Sequence, residues 1–368
     1  MKNNITLFVL LFTTWLGFSQ SYEFKTTVDL EATNVISQGN TGTCWSFSTS
    51  SFLESEIMRL TGKQIDLSEM YTVRHTYFKK AWTYVMRQGK AQFSEGGLAH
   101  DVTNSIATHG IVPNYVYSGL KEGEEKHNHS KMADSLKNIL TTYLKDTNAY
   151  TSNWKNDVNH VLDYYLGPNV TSFNYEGIEY TPQSFLEMTT INPKDYVTIT
   201  SFTHQPFYTN FVLNIPDNFS NGDFYNVPLD DLIEIMNHAL HNGFSIELDC
   251  DVSEKTFSSK HGIAVIPLND STDALLNVSP EKEITAEFRQ QEFENYNTTD
   301  DHLMHITGLL KDQNGTTYYK VKNSWGKDSS RVANGGYIYM SEAYAKLKTI
   351  SIMVHKDAIP KALQFKLF

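Results

Sequence analysis

Two cysteines occur in the 368 residues, and one of them sits in a stretch built for chemistry: "QGNTGTCWSF", residues 38–47. A cysteine attacks as its thiolate, and a free thiol is mostly protonated at neutral pH. From Trp45 to Leu60 there is neither Gly nor Pro, and Trp45, Phe52, Leu53, Ile57 and Leu60 recur at helical spacing before Gly62. The spacing predicts an amphipathic helix with Cys44 at its N-terminus. A helix N-terminus favours a thiolate and leaves backbone N–H groups free to hold an oxyanion. Gln38 offers a side-chain amide as a second oxyanion donor. The chemistry indicated is acyl transfer through a covalent thioester, which also needs a general base from elsewhere in the chain. The second cysteine, Cys250, lies in "FSIELDCDV", residues 244–252, which alternates like a strand. A disulfide between the two cysteines is the plain alternative to a reactive Cys44.

The elements that must position these groups are legible in outline. Helical patterns fill most of residues 66–125, with breaks at Glu95-Gly96-Gly97 and His109-Gly110. Another helical pattern includes Leu136, Ile139, Leu140, Tyr143 and Leu144. Residues 170–227 are mixed, and Pro228–Asn242 reads as a helix. Strands are expected at 244–250, 262–266, 303–310, 317–323 and 336–340. The first half is mainly helical and the last third mainly β, which predicts two facing subdomains with a cleft between them. In an alternating strand His302 and His305 fall on opposite sides, so only one of them can face Cys44.

Composition limits the function classes. The formal net charge is −12 and no dense basic run is present, which argues against nucleic acid as a partner. Residues 1–20 combine Lys2, an apolar run from Ile5 to Phe18, and small residues at Gly17 and Ser19. This is the pattern of a secretory signal peptide cleaved near Gln20 or Ser21, too short for a comfortable membrane span. The expected location is periplasmic or extracellular, with no stable membrane anchor.

The motifs taken together resemble the papain-like cysteine peptidases. Gln38 and Cys44 have the family spacing, and Trp45, Ser46 and Phe47 continue its motif. "LSEMYTV" at 67–73, "EGGLAHDV" at 95–102, "DHLMHITG" at 301–308, "YYKVKNSWG" at 318–326 and Gly335-Gly336-Tyr337 follow in the family's order. The resemblance implies an α+β papain-like fold, a helical subdomain facing a β-barrel-like one. It implies His302 as the base, placed directly after Asp301, with His305 structural or on the surface. Asn323 would orient His302, Trp325 would shield that hydrogen bond, and Gln38 would complete the oxyanion hole. Gly96, Gly97 and Trp325 would border the bound peptide. No cofactor or metal is implied.

His302 lies about 260 residues after Cys44, against roughly 130–150 in a plain papain-type enzyme. The excess matches residues 126–235, read as an insertion between an N-terminal half, 21–125, and a C-terminal half, 236–368. Few residues separate the expected cleavage point from Gln38, too few for a long inhibitory pro-segment. Both features resemble the bleomycin hydrolase and aminopeptidase C branch, as do "IELDCDVSEKTFSSKHGI" at 246–263, "TPQSFLEM" at 181–188 and "VPLDDLIEIMNHAL" at 227–240. That branch implies aminopeptidase activity and a homo-hexamer. Two departures are the export signal and the C-terminal "KDAIPKALQFKLF", which stops near where the branch's cleft-filling arm begins. The second departure keeps an endopeptidase as the alternative.

Other classes weigh less. A transglutaminase or cell-wall amidase would not explain the Asn-Ser-Trp-Gly block. A non-catalytic scaffold on the same fold would not explain an intact Gln38, Cys44, His302 and Asn323. His127 with His129, or His238 with His241, could pair on a metal, but no four-ligand zinc spacing accompanies them.

Overall fold

The computed structural model describes residues 21–368, so the apolar leader expected at 1–20 lies outside the described residues. The first third is β1 (Lys25–Asp29), α1 (Cys44–Thr61), α2 (Glu69–Met86) and α3 (Ala99–His109). The middle holds α4 (Ser130–Lys145), α5 (Trp154–Leu166), β2 (Phe173–Tyr175), β3 (Ile178–Tyr180) and α6 (Pro182–Thr189), then β4 (Tyr196–Thr200), β5 (Thr209–Val212) and β6 (Asp223–Asn226). The remainder is α7 (Leu229–His241), β7 (Ile246–Cys250), β8 (Phe257–Ser258), β9 (Ile263–Ala264), α8 (Ala286–Glu294), β10 (His302–Lys311), β11 (Thr317–Lys322), β12 (Tyr337–Ser341), α9 (Glu342–Lys348), β13 (Thr349–His355) and α10 (Lys361–Leu367).

The strands, β2 and β3 aside, join one sheet in the order β5-β6-β4-β13-β7-β10-β11-β12-β9-β8, with β1 also paired to β10. The order is open at both ends, and no closed barrel forms among the described residues. The helical and strand-rich regions each bury a core. Phe52, Ile57, Tyr77, Val102 and Leu136 belong to the helical core, while Leu248, Met304, Ile306, Val321 and Ile352 belong to the strand-rich one. Helix α1 lies between the two, and its residues are buried from Cys44 to Ile57. That is why polar side chains on it, such as Ser48 and Ser51, have their partners on the sheet. No described helix is long and apolar enough to cross a membrane.

The predicted break at Gly110 has a steric cause. Gly110 has φ +74°, and a Cβ there would overlap the Pro182 carbonyl at the start of α6. Gly110→Ala is expected to destabilise the fold by about 3 kcal/mol or more, since the overlap is with backbone and the conformation disfavours a side chain. Urea unfolding of the purified variant measures this; a midpoint equal to that of the wild type would contradict it.

Candidate active site

Cys44 is the first residue of α1, where its N–H has no intrahelical acceptor. The loop before it is held from both sides. Gly42 N–H donates to Glu95 Oε2 at 2.7 Å, and the Trp45 indole N–H donates to Glu95 O at 3.0 Å. Gly39 has φ +70°, and a Cβ there would stand 2.6 Å from the His127 carbonyl. The glycines of "QGNTG" therefore serve close packing of the loop, which fixes where the sulfur sits. Gln38 is buried and oriented by the Asn-Ser-Trp segment. Its N–H donates to Ser324 O at 2.9 Å, and its Oε1 accepts from Ser324 Oγ at 2.5 Å. Gln38 Nε2 gives one hydrogen to Thr41 O at 2.7 Å, leaving the other for an oxyanion.

His302 begins β10, and its Nε2 lies 2.8 Å from Asn323 Oδ1. Asn323 Oδ1 also accepts the Ser324 N–H at 2.7 Å, so it is the oxygen that meets His302. An oxygen acceptor requires the proton on Nε2, which leaves the lone pair of neutral His302 on Nδ1. The Trp325 ring lies 4.8 Å from the imidazole, tilted 34°. The next residue, Leu303, shares the helical core with Cys44. Cys44, His302 and Asn323 are all nearly buried, at 8%, 4% and 4% exposure.

Electrostatics keep both reacting groups neutral when each is considered alone. Burial pushes the Cys44 thiol up to about 12, against the Leu303 N–H, and Asp300, Asp217 and Asp249 add to the rise. Burial also takes His302 down to about 4, against its hydrogen bond to Asn323. A thiolate at Cys44 therefore needs a cation beside it whose attraction offsets burial.

Gly96 and Gly97 lie between α2 and α3. A Cβ on Gly97 would press on the Trp45 ring at 3.1 Å, and one on Gly96 would overlap the Asp217 carboxylate. Lys80, buried on α2, donates to the Gly96 carbonyl. Lys80 and Asp217 carry no local motif, so pattern reading passed over them; only the tertiary fold brings them here. Ser324 was readable as part of the Asn-Ser-Trp block, although its grip on Gln38 was not.

The competing readings resolve in physical terms. Both cysteines are free, and Cys250 is fully buried in the strand-rich core, so the disulfide alternative is overturned. His305 is fully buried rather than on the surface, with Nδ1 2.9 Å from Ser51 Oγ on α1. It lines a cavity of about 210 Å³ that also holds Glu54, Glu69, Lys322 and Asn323. Burial raises Glu54 to about 7 and Glu69 well above the carboxylate range. Glu54, Asp66 and Glu69 place carboxylate oxygens within 4.8 Å of one another, and the Lys322 cation lies beside them. The His127–His129 and His238–His241 pairs take no part in that cluster.

A cysteine at a helix start, an Asn-held histidine and a mixed α/β fold define a papain-like cysteine peptidase site. The sequence model of the Peptidase C1-like family matches residues 168–367, and that of the papain family cysteine proteases matches residues 19–181. The chain belongs to the Peptidase C1-like family, on the bleomycin hydrolase and aminopeptidase C side of the papain-like cysteine peptidases. It is 24% identical to "Aminopeptidase C" of Listeria monocytogenes, over 89% of this chain and 81% of that protein. It is 23% identical to "Cysteine proteinase 1, mitochondrial" of Saccharomyces cerevisiae, over 93% and 79%. PepW from Lactobacillus rhamnosis has the same fold, with a TM-score of 0.74 at 20% identity, covering 93% of this chain and 84% of that one.

Proposed function

We propose that this protein is an aminopeptidase that cleaves peptide bonds through Cys44, His302 and Asn323, with Gln38 in the oxyanion hole. The observation that carries the catalytic assignment is the Asn323 Oδ1–His302 Nε2 bond, which leaves Nδ1 as the basic atom, while Cys44 stands at the start of α1 with its N–H free of intrahelical partners. His302 Nδ1 takes the Sγ proton as sulfur bonds to the scissile carbonyl carbon. The carbonyl oxygen becomes an oxyanion facing Cys44 N–H and the free Gln38 hydrogen. His302 returns the proton to the departing amine as the C–N bond breaks. Water then gives a proton to Nδ1 and its oxygen to the thioester carbon, releasing the acid and restoring the thiol. Gly96, Gly97 and Trp325 border the bound peptide in this reading.

The exopeptidase part is supported by the names of relatives, Aminopeptidase C and an "Aminopeptidase G" of Lactobacillus delbrueckii that is 21% identical. Mass spectrometry of a peptide digest tests it: products shortened one residue at a time from the N-terminus are expected. Internal cuts would show an endopeptidase instead, and an intact peptide no peptidase at all. The same proposal includes a helical half at 21–125, an insertion at 126–235 and a barrel-like half at 236–368. It also includes export through residues 1–20 and a homo-hexamer. N-terminal sequencing of the secreted form and light scattering check the last two.

A further inference from the structure

Three aspartates from different parts of the chain converge around the segments that hold Gly96, His302 and Leu303. Asp217 stands in the loop between β5 and β6 and lies against Gly96. It accepts from Gln92 Nε2 at 2.8 Å and Ser94 Oγ at 3.4 Å. Asp300 precedes β10, two residues before His302, and its carboxyl meets that of Asp249 of β7. Asp249 pairs in register with Leu303, which shares the helical core with Cys44. Asp217 and Asp300 remain partly exposed, whereas Asp249 is 1% exposed. Within this group Asp249 Oδ1 and Asp300 Oδ2 are buried with no donor among the described residues, although buried carboxylate oxygens are costly without one.

The charges do not cancel. Three carboxylates meet one cation, Lys80, whose ammonium is already held by the Gly96 carbonyl and lies 5.1 Å from the Phe219 ring centre. A proton shared between Asp249 and Asp300 removes one more charge, in keeping with the upward displacement of both. One negative charge is left in the group. In a bound peptide the nitrogen of the residue whose carbonyl is attacked lies about 2.5 Å from that carbonyl carbon, from bond lengths near 1.5 Å. Asp217 lies against Gly96, Asp249 pairs with Leu303 and Asp300 stands two residues before His302, so these carboxyls flank the bound peptide of the reading above, where that nitrogen or a side chain next to it would lie.

We propose that Asp217, Asp249 and Asp300 form a subsite beside Cys44 that binds a protonated nitrogen of the substrate. That nitrogen is either the free α-ammonium of the N-terminal residue or a basic side chain of the preceding residue. The subsite rests on the peptidase reading above and gives it a source of selectivity within the chain's own residues. A charge-assisted bond of this kind corresponds to about tenfold or more in kcat/KM.

The test uses four 7-amino-4-methylcoumarin amides: alanyl, N-acetylalanyl, N-acetyl-lysyl-alanyl and N-acetyl-norleucyl-alanyl. The wild type should prefer alanyl over N-acetylalanyl by about tenfold or more if the α-ammonium is the occupant. It should prefer the lysyl over the norleucyl substrate by a similar factor if a side chain is. Asp217→Asn and Asp300→Asn should each shrink whichever preference is found by about tenfold, with folding checked by circular dichroism. A wild type that cleaves all four with equal efficiency overturns the subsite and leaves the peptidase reading standing, and so does a preference unchanged in both variants. This wild-type comparison decides the matter even if neither variant folds. Failure to cleave any of the four, together with a Cys44 inert to iodoacetamide, overturns the peptidase reading and the subsite with it.

Discussion

Replacing Cys44 with alanine should leave a folded protein with peptide hydrolysis reduced by about 10⁴-fold or more. The expectation follows from the division of labour at the site. The oxyanion donors, Cys44 N–H and the Gln38 amide, survive the substitution, so the residual rate is what binding and oxyanion stabilisation supply alone. His302 keeps its bond to Asn323 but has no thiol to deprotonate. The structural cost is small, because Cys44 is the first residue of α1 and the substitution removes a single sulfur atom. Cys250→Ala should give the opposite profile. That thiol is fully buried among apolar side chains, so the variant should lose about 1–3 kcal/mol of stability and keep its activity per folded molecule. Steady-state hydrolysis with thermal unfolding of both variants reads the contrast. Appreciable hydrolysis by Cys44→Ala would sink the nucleophile assignment.

The site was more legible than the frame around it. Cys44, Gln38, Asn323 and Trp325 sit in short motifs whose geometry is local: a tight loop entering a helix, and a strand end turning back over it. The β-sheet was only partly legible. Strands β7, β10, β11 and β12 fall close to their expected ranges, but β13, "TISIMVH", pairs with both β7 and β4 and was not foreseen. Every residue of β13 is buried, and the alternation of Thr349-Ile350-Ser351-Ile352 breaks off in the apolar run Ile352–Val354, which leaves too short a pattern to mark a strand. The short helices α9 and α10 lie beyond the last expected strand, in a final third expected to be mainly β, because runs of seven residues show barely two helical turns. In the mixed region, α6 had a readable start, since Thr181 and Ser184 form a capping box around Pro182. Strands β4 to β6 fall inside the range expected to be an insertion, yet they extend the same sheet as β13. The Asp217, Asp249 and Asp300 group was beyond sequence reading for a simple reason. Its members come from a loop, a strand and a second loop, and nothing but the fold makes them neighbours.

The two histidines of β10 should separate cleanly by experiment. His302→Ala is expected to lower kcat/KM by about 10³- to 10⁴-fold, since it removes the base for the thiol and the acid for the leaving amine. His305 contributes through stability instead. It is fully buried, its Nδ1 meets Ser51 Oγ, its ring lies 6.1 Å from Phe52, and its Nε2 has no partner. His305→Gln should therefore cost about 1–3 kcal/mol near pH 7.5 while kcat/KM per folded molecule stays within about threefold. The pH dependence distinguishes the two further. Burial, helped by the Lys322 charge, holds His305 well below its ordinary value, whereas in the unfolded chain it protonates near pH 6.5. Below about pH 6.5 the unfolded state thus binds more protons, and the wild type loses stability through this group by up to about 1.4 kcal/mol per pH unit. Gln cannot titrate, so the stability gap between wild type and His305→Gln should narrow as pH falls from 7.5 to 5. For activity, burial takes His302 down to about 4, so the acid limb of kcat/KM in the wild type should lie near pH 4 rather than near 6.5. Urea unfolding at several pH values and a pH–rate profile measure both. If His305→Gln abolished activity while His302→Ala spared it, the two roles would be exchanged, and the Asn323 hydrogen bond would be orienting the wrong ring.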